Sequence, residues 1–112
     1  MIERIIQDYL TENGFPTYLS VPEHPSGNFC IIQKTGSDYE DGLDSATLAV
    51  QSYGGSQYEA AAMNRRVVKT MRDAARLDAI SACDLNTDYD FPDTTRKLPR
   101  YQAIFQITYY DD

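Results

Sequence analysis

Few side chains in this sequence are of the types that carry out nucleophilic or acid–base chemistry. His24 is the single histidine, and it lies in a segment of turn-forming residues from Glu23 to Gly27. A catalytic histidine needs a nucleophile within hydrogen-bonding reach. The nearest cysteine, Cys30, belongs to an apolar segment that predicts a buried strand, where a thiol is inert. We therefore expect His24 to be a solvated loop residue.

Known catalytic and cofactor motifs are missing or incomplete. Lys34-Thr35-Gly36 matches one short element of serine β-lactamases, but the companion Ser-x-x-Lys is absent. No phosphate-binding loop, dinucleotide fingerprint or G-x-S-x-G motif occurs. Two cysteines, Cys30 and Cys83, and one histidine at this spacing do not make a structural zinc site. The two cysteines lie in apolar segments, which favours free thiols and a reducing compartment. The sequence thus predicts no enzyme, no cofactor and no metal site.

One acidic set has the alternate spacing with which a calcium loop begins: Asp84, Asn86, Asp88 and Asp90. A calcium loop also needs glycine at its sixth position and glutamate at its twelfth, and both are missing here. On a strand, alternate residues share a face. We therefore expect these four side chains to lie together on the solvent face of a strand.

A second acidic set lies between Gly36 and Ser45, a segment with no apolar periodicity. We expect this segment to be an exposed, mobile loop. A solvated loop and a charged surface that meets a partner both remain open for it. Its candidate assembly or lumen residues are Asp38, Tyr39, Glu40, Asp41 and Asp44.

Basic residues are concentrated in one segment, although 17 acidic against 10 basic side chains give a net charge of −7. Five of the ten bases fall between residues 59 and 76, where helical spacing places four of them on one stripe. Three interpretations of this stripe remain open: a solvated helix face, a surface that contacts nucleic acid, and a surface that contacts the acidic loop of a neighbouring copy. Its predicted subunit-contact residues are Arg65, Lys69, Arg72 and Arg76.

Periodicity and turn signals predict the elements that carry these residues. A first helix ends at Asn13-Gly14, and a second begins with the capping box Ser56-x-x-Glu59 and runs to about Leu77. The predicted strands are 17–21, 29–35, 46–53, 80–91 and 101–109. The order α-β-β-β-α-β-β predicts a single α+β domain over residues 1–112, with two helices packed on a mostly antiparallel sheet.

The chain shows neither a basic segment followed by an apolar signal nor a membrane-length apolar stretch. We therefore expect a soluble protein that is made in a cytoplasm and does not bind membranes.

Short sequence elements, in order along nearly the whole chain, carry a resemblance to a known family. They are Val21-Pro22, Phe29, Ile31-Ile32, Lys34-Thr35-Gly36, Leu48-x-Val50-Gln51-x-Tyr53, Ser56-x-x-Glu59-Ala60, Tyr89-x-Phe91-Pro92-Asp93 and Arg100-Tyr101-Gln102. Together they resemble the small neck proteins of long-tailed bacteriophages. The most similar group is the tail-terminator family, whose members are also called tail-completion, head–tail joining or minor capsid proteins.

This resemblance implies a structural, non-enzymatic subunit of the virion neck, assembled in the bacterial cytoplasm. Such subunits form a ring, expected to be a hexamer, that caps the tail tube and joins it to head-completion or connector proteins. DNA passes through the lumen without specific binding. The 36–45 segment resembles a long loop that orders on contact with the tube or neck, and its acids or those of Asp84–Asp90 are candidates for the lumen. Two alternatives stay open: another neck component, such as a stopper, and a nucleic-acid-binding module that uses the basic stripe.

Overall fold

A computed structural model of the chain describes residues 1–25, 27–40 and 42–110. Two α-helices and five strands follow one another in the predicted order, so the α+β prediction is confirmed. The helices are α1 (Ile2–Glu12) and α2 (Gln57–Arg72), and a 3₁₀ helix (Asp73–Arg76) continues α2. The strands are β1 (Thr17–Tyr18), β2 (Phe29–Glu40), β3 (Leu43–Tyr53), β4 (Ile80–Asp90) and β5 (Arg100–Tyr109).

The five strands form one mixed sheet in the order β1-β2-β3-β5-β4. Only the short pair β1–β2 is parallel, and the other three pairs are antiparallel. Strands β3 and β5 are therefore central, while β4 is an edge strand. The opposite edge of the sheet is formed partly by β1 and partly by β2, because β1 pairs with β2 only at Cys30 and Ile31.

Both helices lie on one face of this sheet. Apolar side chains recur at helical spacing in α1, and residues such as Ile6 are fully buried against the sheet. In α2 the Ser56 hydroxyl accepts a hydrogen bond from the Glu59 backbone N–H at 3.1 Å, as the predicted capping box requires. The buried face of α2 packs against Leu48 and Phe105 of the central strands. Helical periodicity thus identified both helices and the sides that they bury.

The predicted loop from Gly36 to Ser45 is wrong in its secondary structure. Strand β2 continues to Glu40 and β3 begins at Leu43, so the segment is a β-hairpin paired residue by residue. The hairpin escaped the periodicity rule because residues 33–39 of β2 are exposed on both faces and show no apolar alternation. The first short strand was also predicted too long, since β1 contains only Thr17 and Tyr18.

Strand β4 departs from period two, and this corrects a second prediction. Its pairing with β5 shifts register between Ile80 and Ala82 and again between Leu85 and Thr87. Each bulge inserts a residue and moves the following side chains to the other face. The four predicted acidic-face residues are all exposed, but they do not share one face of the sheet.

Candidate assembly surfaces

The basic stripe lies on the solvent side of α2, as its helical spacing predicted. Arg65, Lys69 and Arg72 are exposed, and Arg76 follows on the 3₁₀ helix. Arg76 pairs with Asp73 at 3.9 Å. Within the described part of the chain, no carboxylate lies within ion-pair distance of Arg65, Lys69 or Arg72. Among the described residues, these three cations therefore have no ion-pair partner.

A groove of about 480 Å³ separates this stripe from the edge strand β4. One wall carries Arg65, Lys69 and Arg72. The other residues that line the groove are Ala61, Asn64, Val68, Leu85, Asp88 and Tyr101. The groove thus combines apolar side chains with a row of cations along one wall, and we call it the α2/β4 groove.

The acids of β4 are divided between the two sides of the sheet. Asp88 pairs with Ala103, and its carboxylate accepts a hydrogen bond from the Asn64 amide of α2 at 2.7 Å. Asp90 likewise accepts from Gln57 at the start of α2 at 2.9 Å. Asp84 pairs with Gln106 before the second bulge, on the face away from the helices. The predicted continuous acidic strand face is therefore wrong, because two of its members hold α2 in place.

The second predicted acidic set lies on the β2–β3 hairpin. Tyr39 pairs with Asp44, so these two side chains are neighbours on one face of the hairpin. The Tyr39 ring is 67% exposed. Asp38 is exposed beside it and accepts a hydrogen bond from the Tyr39 backbone N–H at 2.8 Å. The Glu40 side chain and the whole of Asp41, which the sequence also predicted for this set, lie outside the described residues.

The described acids of the hairpin do not contact the predicted basic residues of α2 within the subunit. In the described ranges, no hydrogen bond or ion pair joins Asp38 or Asp44 to the cations of α2. The chain therefore presents an acidic hairpin and a basic groove as two separate surfaces. Opposite charges on separate surfaces of one chain can meet only between molecules.

The residues considered for catalysis are not brought together. His24 is exposed in the loop before β2. Cys30 is free and fully buried, and burial raises the pKa of its thiol to about 12. Burial also raises the pKa of the free, half-buried Cys83 thiol to about 12, with the Asp84 charge adding to the effect. Both thiols are protonated at neutral pH and are therefore poor nucleophiles.

Two further properties concern the described ranges only. Among residues 1–25, 27–40 and 42–110, no three histidine, cysteine, aspartate or glutamate side chains come together as metal ligands. In the same ranges, neither α1 nor α2 is long and apolar enough to cross a membrane.

Sequence reasoning missed a buried polar cluster around Asp93. This carboxylate is only 4% exposed and accepts hydrogen bonds from the Tyr53 hydroxyl at 2.8 Å and from the Arg96 backbone N–H at 3.1 Å. The Arg96 guanidinium lies at 3.2 Å, and that of Arg100 lies at 3.9 Å. The Arg100 side chain also covers the Phe91 ring, 4.5 Å from its centroid.

Electrostatics within this cluster favour the charged form of Asp93. Burial by itself raises the pKa of the carboxyl, but the hydrogen bonds from Arg96 and Tyr53 and the nearby Arg100 charge outweigh it and lower the pKa below its usual 3.8. Burial and the hydrogen bond to Asp93 raise the pKa of the Tyr53 hydroxyl. The cluster fixes the loop between β4 and β5 to the end of β3, and its partners come from three of the sequence elements that carry the phage resemblance.

The sheet face away from the helices is polar and uncharged over its centre. The Gln51 amide donates to Gln102 at 2.8 Å, and the Gln102 amide donates to the Tyr89 hydroxyl at 2.6 Å. Thr47 donates to Gln106 at 3.0 Å in the same way. Cross-strand hydrogen bonds within the subunit therefore pair these polar side chains with one another.

A scan of the sequence against protein-family models finds no match, and a search of curated proteins finds none.

Proposed function

We propose that the protein is a structural, non-enzymatic component of a bacteriophage neck. In this role it is a tail terminator, which forms a ring at the end of the tail tube and joins the tail to the head around the DNA channel. The observation that carries the proposal is the presence of two oppositely charged surfaces, the acidic hairpin and the basic α2/β4 groove, between which no ion pair forms among the described residues. Contacts between two different surfaces of identical copies generate a closed ring when the rotation closes.

Two further observations support a role without chemistry. The described residues bring no nucleophile and base together, since the Cys30 thiol is buried and His24 lies exposed in a loop. The sequence elements that resemble tail terminators also converge in the structure, because Tyr53, Asp93 and Arg100 meet in one buried cluster. The proposed partners are other copies of the chain, the tail-tube protein and the head-completion proteins, with DNA passing through the lumen.

The direct test has two parts. Light scattering on the purified protein over a range of concentrations measures whether it forms a ring of defined mass, and electron microscopy of phage tails locates it along the virion. We expect a ring-sized species and labelling at the head-proximal end of the tail. A protein that stays monomeric and never occurs at that end would refute the proposal, whereas a position further into the neck would indicate a stopper or head-completion protein.

Nucleic-acid binding is a second candidate function, because Arg65, Lys69 and Arg72 are exposed and unpaired among the described residues. A groove that grips phosphates predicts an affinity that falls steeply with salt, since each phosphate contact releases counterions. Replacing Arg65 and Lys69 by glutamate would then abolish DNA binding without changing the oligomeric state of the protein. In the ring proposal the same substitutions reduce assembly instead.

A further inference from the structure

The β2–β3 hairpin projects a side chain that its own subunit leaves uncovered. Residues 33–39 are exposed on both faces, and within the described chain no strand pairs with the outer edge of β2 beyond Ile31. Tyr39 lies near the end of this hairpin with two thirds of its surface exposed. Exposed aromatic residues with a polar tip are typical of surfaces that become buried in assemblies. Asp44 lies beside the ring on the same face of the hairpin, and Asp38 lies on the opposite face, so the projecting aromatic side chain has a carboxylate on each face of its hairpin.

The α2/β4 groove has the complementary character. Its volume of about 480 Å³ lies within the range of about 300–1,000 Å³ that holds small ligands or large side chains. Val68, Leu85 and the Tyr101 ring provide apolar and aromatic surface inside it. Its charged groups are three cations and the Asp88 carboxylate, which leaves a net charge of +2.

We infer that the Tyr39 hairpin of one copy docks in the α2/β4 groove of the next copy. The ring of Tyr39 enters the apolar part of the groove, while Asp44 on the same face lies towards Arg65, Lys69 and Arg72 and Asp38 adds negative charge from the other face of the hairpin. The carboxylates bring negative charge to a groove with excess positive charge, which also favours the correct orientation of the approaching subunit. Because the hairpin and the groove are different surfaces, every copy donates one hairpin and accepts one. This inference rests on the proposed ring, for which it names the subunit contact.

The first test removes the aromatic side chain. A central aromatic residue of an interface commonly contributes enough that its loss weakens association about 30-fold or more. We expect Tyr39→Ala to raise the concentration at half-assembly by about that factor, measured by mass photometry. Tyr58→Ala is the matched control, because Tyr58 is 82% exposed on α2 but does not line the groove. Equal effects of the two substitutions would contradict the inference.

The second test reverses the charges of each surface separately. One chain carries Arg65→Glu and Lys69→Glu, and the other carries Asp38→Lys and Asp44→Lys. Each chain alone should remain unassembled, because the reversed side chains of one surface then face unchanged side chains of the same sign on the other. A mixture of the two chains should assemble, since the new lysines of one chain can face the new glutamates of the other, and the unchanged hairpin can face the unchanged groove. Arg4→Glu with Lys97→Glu is the control for a change of two basic residues, because both are exposed and neither lines the groove.

The outcomes separate this inference from the proposed function. A wild-type protein that never assembles would refute the ring itself. A wild-type ring whose assembly survives Tyr39→Ala, or two charge-reversed chains that keep native melting temperatures but fail to assemble as a mixture, would overturn only the hairpin contact. Loss of DNA binding in the Arg65→Glu/Lys69→Glu chain with unchanged assembly would also overturn it, and would assign the groove to nucleic acid.

Discussion

Replacing the buried Asp93 by asparagine tests the polar cluster quantitatively. The substitution keeps the shape of the side chain but replaces one carboxylate oxygen by an NH₂ group. In the native protein, Oδ2 accepts from the Tyr53 hydroxyl and lies near the guanidinium groups of Arg96 and Arg100. Oδ1 accepts from the Arg96 backbone N–H, a bond that the asparagine oxygen can keep. The variant therefore loses the Oδ2 contacts selectively.

The expected loss of stability follows from the burial of each contact. The Arg96 side chain is 49% exposed, so its ion pair contributes less than about 1 kcal/mol. The Tyr53 hydrogen bond is buried and charge-assisted, which corresponds to about 1.5–3 kcal/mol. Arg100 is only 14% exposed, but it keeps a second acceptor, the Phe91 carbonyl oxygen at 2.6 Å. We expect Asp93→Asn to lower the free energy of unfolding by about 3 kcal/mol at neutral pH.

Chemical denaturation monitored by circular dichroism measures this loss, and a thermal melt should show a decrease of about 10 °C or more. The folded-state pKa of Asp93 lies below its unfolded value, so the stabilisation is present above the unfolded pKa and disappears as the pH falls through the folded value. The difference between wild type and variant should therefore be constant near neutral pH and shrink below about pH 4. Asp8→Asn, at an exposed position of α1 with no side-chain hydrogen bond or ion pair among the described residues, is the control. A loss below about 0.5 kcal/mol, or one that grows in acid, would refute the reasoning.

Three further substitutions or modifications test other features of the fold. Gly54→Ala should destabilise the protein by about 3 kcal/mol, because the new Cβ would lie 2.5 Å from a backbone nitrogen of α2. Gly36→Ala should cost little stability, because the atom nearest to its new Cβ is 3.8 Å away. Urea denaturation compares the two variants. Ser56→Ala should cost about 1 kcal/mol in the same assay through loss of the α2 cap, and an unchanged midpoint would contradict that role. In the native protein Cys30 should react with iodoacetamide far more slowly than Cys83, as followed by mass spectrometry, because Cys30 is fully buried; equal rates would indicate that the core opens.

Sequence patterns predicted the parts of the fold in which burial follows a regular period. Both helices were found because their apolar residues recur at helical spacing and because glycine or a capping serine marks one end. The long strand β5 was found because Ala103, Phe105 and Ile107, which are buried on one face, alternate with Gln102, Gln106 and Thr108, although Ile104 interrupts the polar series. In each of these elements, one face is buried and the other is largely polar.

The remaining features depend on pairing rather than on composition. The hairpin was missed because its strands are stabilised by backbone hydrogen bonds while residues 33–39 face solvent. The division of the β4 acids was missed because a bulge leaves no mark in the sequence. The Asp93 cluster was missed because Tyr53 and Asp93 are 40 residues apart, and because an aspartate after proline is typical of an exposed turn. Only the three-dimensional approach of β3 to the β4–β5 loop reveals why that aspartate is buried.

The two bulges of β4 also determine how copies of this protein can associate. A regular strand at the edge of a sheet is a template on which another chain can add a strand, with a risk of uncontrolled aggregation. Bulges and charged side chains interrupt the row of free backbone groups along β4, so the sheet cannot simply continue from one molecule into the next. Association at this edge must then use side chains, whose charge pairing weakens with ionic strength and is reversible. In the proposed ring, a subunit bound through such contacts can leave a wrong position and bind again before the ring closes.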